Sequence, residues 1–334
     1  MFDRSKCDLC GDCLVRCQYI DYDRDRAIKE FTALTEGRYA DILKECVTCV
    51  ACNEYCSEGA NPYDLILQLQ EKTGALAIPD KMRAWVDSSV HMPSEIIKGD
   101  PDKPFLSICL AEPMLPEGLL KSKMFEDLTM VKGEEYFCYV VYLHLALESV
   151  AKANAQKFVD KLAGLGAKEI IFLHDECYAM LTNIGLDYGL QVPFKPVHIV
   201  EYALNYLKDN KSSITRLGKK IAYQRPCSSR WTLGEDPLLD EVFELIGVDR
   251  VARNYDREEA LCCTFPFTRL KPELAKKVRD MNLADAKEHN AEAMIFLCPW
   301  CLAMLGKDCQ ERGMVPIYFV DLCRMALGEK PFPV

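Results

Sequence analysis

The spacing of hydrophobic and polar positions changes once along the chain, near residue 100. Before that point apolar residues recur every three or four positions among charged ones, over residues 22–44, 63–72 and 80–90. This spacing is typical of amphipathic helices rather than of alternating strands. A cluster of glycine, proline and charged residues follows at 98–104. We therefore predict a helical N-terminal region that ends at a domain boundary in this cluster.

Beyond the boundary, short apolar segments alternate with amphipathic ones. The predicted strands are 105–110, 136–141, 169–173, 220–223 and 293–297. The predicted helices are 148–162, a segment reaching Leu207, 237–246, 273–289 and 320–327. The apolar run 139–147 is also short enough to be a buried strand. Alternation of this kind is typical of βαβ units, so the chain is predicted to be an α+β multi-domain protein with short parallel sheets.

The second part of the chain contains the same pattern twice. Residues 171–181 align without gaps with residues 295–305, and each segment reads as a strand, a turn with a cysteine and the start of a helix. The same shift pairs further positions: Cys138 with Cys262, Tyr139 with Cys263 and His174 with Cys298. We therefore divide the chain into residues 1–100, 101–215 and 216–334.

Composition adds a chemical question, because 18 of the 334 residues are cysteine and a chain of this length needs no disulfides to fold. The net charge of −10 argues against binding of nucleic acid or of an anionic membrane surface. The sequence has no signal-peptide pattern and no long uncharged apolar window. We expect a cytoplasmic protein that uses its cysteines to bind metal and reaches a membrane only through a partner.

Eight cysteines near the N-terminus repeat one spacing, C-x2-C-x2-C-x3-C: Cys7, Cys10, Cys13 and Cys17, then Cys46, Cys49, Cys52 and Cys56. This spacing places three thiolates on a tight loop around a 4Fe-4S cubane, and the fourth cysteine ligates the same or a neighbouring cluster. Zinc would require two separated pairs of ligands. We predict two 4Fe-4S cubanes on a helical scaffold, and the spacing leaves open which fourth cysteine serves which cubane.

Five cysteines of the second repeat are spaced more widely: Cys227, Cys262, Cys263, Cys298 and Cys301. Two adjacent cysteines do not suit one tetrahedral zinc site and favour a site with bridged metals. The arrangement resembles the cysteine-rich CCG domain of heterodisulfide reductase, which in that family binds a noncubane 4Fe-4S cluster where a disulfide is cleaved. Two cubane motifs followed by two CCG repeats resemble the D-type subunit, or a fusion of the C and B subunits. The resemblance spans nearly the whole chain.

The resemblance implies an iron–sulfur subunit of an anaerobic oxidoreductase complex. Electrons would enter from a flavoprotein or another iron–sulfur subunit, pass through the cubanes and reach the five-cysteine site, whose residues would be catalytic. The alternative is an electron-transfer subunit without bond chemistry of its own. It would link a flavoprotein dehydrogenase to a quinone-linked or other reductase partner, with a membrane cytochrome reached through a partner as one option.

The first repeat departs from the family pattern, because Tyr139 and His174 replace two of its cysteines. Its remaining candidate ligands are Cys109, Cys138, His174 and Cys177. They predict either the relic of a lost cluster or a Cys3His zinc site. In the second repeat, Thr264 replaces the name-giving glycine, so we expect a loop that does not use a positive φ there.

A few other residues carry weaker expectations. Cys309 and Cys323 are predicted to be core thiols on amphipathic helices. His198 follows Pro196 at the start of a helix, where packing or capping is the expected role. Arg225 and Arg230 flank Cys227, and they are expected either to steady a thiolate cluster or an anionic substrate, or to lie on the solvated surface.

Overall fold

The computed structural model describes residues 1–333, which contain fourteen α-helices and nine β-strands joined by loops and 3-10 turns. The helices are Asp12–Val15 (α1), Arg24–Thr35 (α2), Ile42–Glu45 (α3), Ala51–Tyr55 (α4), Pro62–Thr73 (α5), Asp80–Ser89 (α6), Glu148–Ala163 (α7), Asp175–Ala179 (α8), Gly185–Tyr188 (α9), Ile199–Asp209 (α10), Glu235–Ile246 (α11), Pro272–Glu288 (α12), Pro299–Glu311 (α13) and Phe319–Ala326 (α14). The strands are Glu95–Ile97 (β1), Phe105–Cys109 (β2), Thr129–Lys132 (β3), Glu169–Phe172 (β4), Lys195–His198 (β5), Lys220–Gln224 (β6), Asp249–Arg250 (β7), Ala293–Phe296 (β8) and Val315–Tyr318 (β9).

The first 90 residues are helical, as their apolar spacing predicted. The carboxylate of Asp23 accepts a hydrogen bond from the Arg26 N–H and so caps α2. Proline opens α5, where its missing N–H costs nothing, and Gly74 ends that helix with φ 64°. Phe31 of α2 packs with residues of α3 and α5 in one buried cluster.

Two sheets follow, and their strand orders confirm the internal repeat. The first sheet has the order β1-β3-β2-β4-β5 and the second the order β7-β6-β8-β9. Every neighbouring pair is parallel except β1 and β3, which are antiparallel. Without β1 the two orders are equivalent, β2 corresponding to β6 and β4 to β8. The predicted α+β class with short parallel sheets is therefore confirmed.

Strand β1 lies before the breaker cluster at 98–104, so the first sheet extends into the segment that we assigned to residues 1–100. All three residues of β1 are exposed. An exposed strand of three residues has no apolar pattern that could mark it in the sequence.

The prediction of a strand at 136–141 and of a buried strand over 139–147 was wrong. This segment forms 3-10 turns, and Tyr139 and Ala146 adopt φ values of 61° and 52°, which a strand does not contain. The strand that the first repeat forms in this part of the chain is β3, which lies before residue 136. The run 139–147 is apolar because it is largely buried, and apolarity alone does not distinguish a buried strand from another buried segment.

The arrangement of the strands positions the cysteines. Strand β8 is buried at every residue, as expected for a parallel strand covered on both faces. The carboxyl ends of parallel strands meet at one edge of a sheet, where ligands bind in such folds. Cys109 ends β2, and His174 and Cys298 follow β4 and β8 by two residues each.

Candidate metal centres

The eight N-terminal cysteines form two groups that exchange their fourth members. One cavity is lined by Cys7, Cys10, Cys13 and Cys56. A second cavity is lined by Cys17, Cys46, Cys49 and Cys52, and Cys13 borders it from the side of the first group. Each group therefore combines three cysteines of one motif with the last cysteine of the other, which the spacing alone had left open.

The two cysteine loops share an unusual backbone conformation. Leu9 and Gly11 in the first loop have φ values of 64° and 78°, and the equivalent Thr48 and Val50 in the second have 58° and 67°. A left-handed conformation costs a residue such as valine on the order of 1–3 kcal/mol, and it persists where surrounding structure enforces it. In the second loop it directs the N–H of Thr48 at the sulfur of Cys46, 3.4 Å away. The loops therefore have the form of sites that wrap a group bound to their sulfurs.

Each group contains one buried cysteine, Cys13 or Cys49, and three half-buried ones. Burial raises the pKa of the Cys46 thiol in the second group to about 12. Thiols with raised pKa values are protonated at neutral pH, so metal binding at this group has to release protons. The donor set consists of sulfur atoms only, which fits iron–sulfur ligation.

The five cysteines of the second repeat form a continuous row. The sulfurs of Cys227 and Cys262 are 3.3 Å apart. Cys263 is close enough to Cys262 and to Cys301 for these thiols to shift one another's pKa, and the same holds for Cys301 and Cys298. All five are free thiols, and all except Cys227 are buried. This row of neighbouring sulfurs can hold several bridged metal ions, and it is too extended for one four-coordinate zinc.

Thr264 adopts φ 75°, so the expectation that this loop avoids a positive φ was wrong. Its N–H donates to the sulfur of Cys262 at 3.3 Å. Its hydroxyl accepts a hydrogen bond from Arg279 at 2.9 Å and lies 3.0 Å from the hydroxyl of Thr268. These polar contacts offset the strain of a β-branched residue in the conformation that glycine adopts most readily.

The first repeat brings its four candidate ligands together. The ligand atoms of Cys109, Cys138, His174 and Cys177 all lie within 4.8 Å of one another, and all four residues are buried. Three sulfurs and one imidazole nitrogen at this spacing suit a tetrahedral zinc ion. His174 and Cys298 are also close enough to shift each other's pKa, so this site adjoins the five-cysteine site.

Arg225 and Arg230 are buried, which removes the solvated-surface alternative for both. Arg225 donates to both carboxylate oxygens of Glu54 at 2.9 Å, and Arg230 forms a short contact with the same carboxylate. Glu54 lies between Cys52 and Cys56 of the second motif. The two arginines beside Cys227 therefore hold the N-terminal helices against the second repeat through ion pairs with Glu54.

His198, Cys309 and Cys323 have the roles that their positions predicted. When His198 is neutral, its Nδ1 atom accepts from the Val200 N–H at 3.2 Å and caps α10. When the ring is protonated, the same atom donates to the carboxylate of Glu235, 3.1 Å away. Its Nε2 atom lies 2.8 Å from the carboxylate of Asp175. The two cysteines have no exposed surface and lie in the apolar core.

Sequence reasoning missed two residues that connect the sites. Tyr19 accepts a hydrogen bond from the N–H of Cys262, and its only signal was a position two residues after Cys17. His144 lies with Nδ1 3.0 Å from the carbonyl oxygen of Thr48 and Nε2 3.6 Å from Glu176. It is one of five histidines in the chain, and that rarity was the one available hint.

Comparisons with known proteins agree with this arrangement. The model of the CCG cysteine-rich domain family matches residues 221–306, which include the whole five-cysteine row. The D-type subunit of the dihydromethanophenazine:CoB–CoM heterodisulfide reductase of Methanosarcina barkeri is 24% identical over 324 residues, covering 87% of this chain and 79% of that protein. The same D-type subunits of Methanosarcina acetivorans and Methanosarcina mazei are each 25% identical over 217 residues, 62% of this chain and 53% of each relative.

Solved structures add nothing to this result. An aspartate racemase of Picrophilus torridus and an aspartate racemase homologue of Pyrococcus horikoshii cover 68% of the chain, and 94% and 97% of their own chains. Their sequence identities are 8% and 12% and their TM-scores 0.33 and 0.34, values too low to support an argument. The similarity in sequence is what identifies the chain: it carries a CCG cysteine-rich domain and is a homologue of the D-type subunit of heterodisulfide reductase.

Proposed function

We propose that this chain is the iron–sulfur subunit of a heterodisulfide reductase-like oxidoreductase complex that reduces a disulfide. The eight N-terminal cysteines would hold two 4Fe-4S cubanes, and Cys227, Cys262, Cys263, Cys298 and Cys301 would hold a noncubane 4Fe-4S cluster. When bound, these groups supply one-electron redox steps. Two electrons and two protons convert a disulfide into two thiols. The observation that carries the proposal is that all three cysteine groups follow one another in space.

The contacts between the groups support this order. Cys7 and Cys10 of the first group are half-buried and lie beside the exposed residues 4–6 and Asp8, where a partner can reach them. The second group shares a wall with the first through Cys13. On its other side, Cys49 is close enough to Cys227 for the charge of one thiolate to affect the other. The protein therefore provides a short route from its surface to the five-cysteine site.

Two buried arginines lie beside Cys227. Arg225 and Arg230 stand two and three residues from Cys227 and share the carboxylate of Glu54 as a partner. Asp236 contacts Arg225 at 3.3 Å, so two carboxylates match the two guanidinium charges. These ion pairs hold the loop of Cys227 against the helix that carries Cys52, which supports the proposed proximity of the second N-terminal group and the five-cysteine site.

For the first repeat we propose zinc, held by Cys109, Cys138, His174 and Cys177. The spacing of the four ligand atoms favours this over the relic of a lost cluster. Zinc has no redox chemistry, so its contribution here is to hold β2 and α8 together beside the five-cysteine site.

Metal content and EPR spectroscopy of the protein purified without oxygen test the assignment. Three clusters of four irons predict about twelve iron atoms, together with about one zinc, for each chain. A result of about eight iron atoms with zinc present would remove the noncubane cluster and with it the proposed reaction.

A second candidate is a subunit that only transfers electrons between a flavoprotein and a quinone-linked or other reductase partner. The replacement of two ligand positions in the first repeat by Tyr139 and His174 favours it. Protein reduced in solution and mixed with disulfides distinguishes the two functions. Reoxidation with formation of thiols supports the reductase, whereas persistent reduction with every disulfide supports the relay.

Partners are part of either function. The relatives named above are subunits of a larger reductase, and we propose a flavoprotein or another iron–sulfur subunit as the electron donor of this chain. None of the helices described between residues 1 and 333 is long and apolar enough to cross a bilayer. We propose a cytoplasmic location, with contact to a membrane cytochrome made through a partner.

A further inference from the structure

An apolar cavity of about 190 Å³ lies between the two repeats, beside both of their cysteine sites. Its aromatic wall is formed by Trp85, Phe265 and Trp300. The rings of Phe265 and Trp300 are 4.3 Å apart between centroids, and Trp85 lies 6.2 Å from each. Cys109 and His174 line the cavity on the side of the zinc-type site.

Two residues connect the cavity wall with the five-cysteine site, although none of the five cysteines lines the cavity itself. Trp300 stands between Cys298 and Cys301 in sequence and lines the cavity. His174 also lines the cavity and is close enough to Cys298 for the two groups to shift each other's pKa. A ligand at this end of the cavity therefore lies against side chains that adjoin the row of cysteines.

Charge on the cavity wall selects among ligands. Among the described residues that line the cavity none is lysine or arginine, and the single acidic one is Glu176. The Glu176 carboxylate lies 3.6 Å from His144 and 3.9 Å from His174, so its charge already has partners. Arg269 lies 4.7 Å from the ring of Trp85 but does not line the cavity. An anionic ligand would be buried beside a carboxylate without a strong cation to compensate, which is unfavourable.

Resting on the proposed function, we infer that the substrate is a disulfide, or the corresponding thiol in the reverse direction, with an uncharged apolar group of about the size of one ring. An apolar cavity of about 150 Å³ holds a benzene ring, so the volume here suits such a group. The S–S bond breaks and two S–H bonds form. The electrons come from the reduced partner protein and the protons from water.

Binding to the holoprotein tests this inference with two probes of matched shape. Benzyl mercaptan is uncharged, and 4-(mercaptomethyl)benzoate carries one carboxylate on the same ring. Calorimetry without oxygen should give benzyl mercaptan the tighter binding by at least about tenfold. Equal binding of the two thiols, or tighter binding of the carboxylate, would overturn the inference.

Variants make the test specific to the cavity. Met114→Lys places a cation on the wall at a half-buried position, and Ser89→Lys does so from the end of α6 if the first variant fails to fold. Either variant should reduce or reverse the preference for the uncharged thiol. Leu186→Lys adds the same charge at a side chain that is 69% exposed and does not line the cavity, and it should leave the preference unchanged.

The same samples separate the two proposals. Iron content and the EPR spectrum report on the clusters independently of thiol binding. A complete set of clusters together with no preference between the probes would reject the substrate class and leave the reductase assignment intact. A missing noncubane cluster together with a clear preference for benzyl mercaptan would reject the reductase assignment while supporting an apolar ligand.

Discussion

The phenolic oxygen of Tyr19 accepts a hydrogen bond from the backbone N–H of Cys262 at 2.8 Å. Tyr19 follows Cys17 of the second N-terminal group by two residues, and Cys262 belongs to the row of five cysteines. The ring of Tyr19 also contacts Phe267 edge-on, with centroids 5.9 Å apart. The side chain of Tyr19 thus joins two candidate cluster sites. Their cysteines Cys17 and Cys262 are 245 positions apart in the sequence.

Tyr19→Phe removes the acceptor of this bond and leaves a buried N–H without a partner. We expect a loss of about 1–3 kcal/mol in the free energy of unfolding, measured as a lower thermal midpoint without oxygen. The EPR signal assigned to the five-cysteine site should change because the lost bond is to Cys262. Tyr19 also lines the second cavity, so the signal expected to stay unchanged is that of the first cubane. Tyr39→Phe, at a side chain that is 48% exposed, is the matched control. An unchanged midpoint and spectrum in Tyr19→Phe would contradict a connecting role.

The exchange of the fourth cysteines predicts pairs of variants with the same defect. Cys56→Ala should lose the EPR signal that Cys7→Ala loses, because both residues line the first cavity. Cys17→Ala should instead match Cys46→Ala, since these line the second cavity. If Cys17→Ala matched Cys7→Ala, each motif would serve its own cluster and the exchange would be wrong.

Glu54→Gln should destabilise the contact between the N-terminal helices and the second repeat. The change leaves Arg225 and Arg230 buried without the carboxylate that both contact. Breaking a buried ion pair by removing one partner costs about 3–5 kcal/mol, to be measured by denaturant unfolding. Glu58→Gln, at an exposed position in the turn that follows α4, should have little effect. Similar stability of the two variants would show that Glu54 does not hold the N-terminal helices against the second repeat.

Cys177→Ala should release zinc and leave the iron content unchanged, because its sulfur belongs to the first-repeat group. Metal analysis of the purified variant measures this directly. Cys309→Ala is the control, since this buried thiol lies away from the four ligands and its loss should affect neither metal. Loss of iron in Cys177→Ala would mean that the first repeat holds an iron–sulfur cluster instead.

Stability should fall at alkaline pH through His198. Burial lowers its pKa, but contacts with Asp175 and Glu235 outweigh this effect and raise the pKa to about 9. The protonated form is thus favoured in the folded state over an unfolded pKa of about 6.5. Its contribution, on the order of 3 kcal/mol, is complete below pH 6.5 and is lost as the pH rises through about 9.

Unfolding of His198→Asn at several pH values checks this dependence. The difference in unfolding free energy between the native protein and the variant should shrink between pH 6.5 and 9. His91→Asn, at a side chain that is 75% exposed, is the control for replacing a histidine by asparagine. A constant difference for His198→Asn would show that its role is limited to capping α10.

Local features of the sequence predicted much of this molecule. The longer helices of the first 90 residues and the strands β2, β4, β6 and β8 carry their own apolar pattern, whereas β3, β5, β7 and β9 were not predicted. The gapless match of 171–181 with 295–305 predicted an internal repeat, and the two sheets have equivalent strand orders. Strand β1 was not predicted because its three residues are all exposed and show no alternation of apolar and polar positions. The prediction of a strand over 139–147 was wrong because a buried apolar run without regular alternation is compatible with several backbone conformations.

The candidate sites, like the fold, were predictable from the sequence only in part. The sequence by itself determined which cysteines belong to cluster motifs, since ligand spacing on a short loop is a local property. Only the tertiary structure decided that Cys17 and Cys56 exchange groups, that His174 adjoins Cys298, and that Tyr19 joins two sites. These relationships depend on how separate helices and strand ends pack against each other, and packing brings together residues whose separation in sequence says nothing about their distance in space.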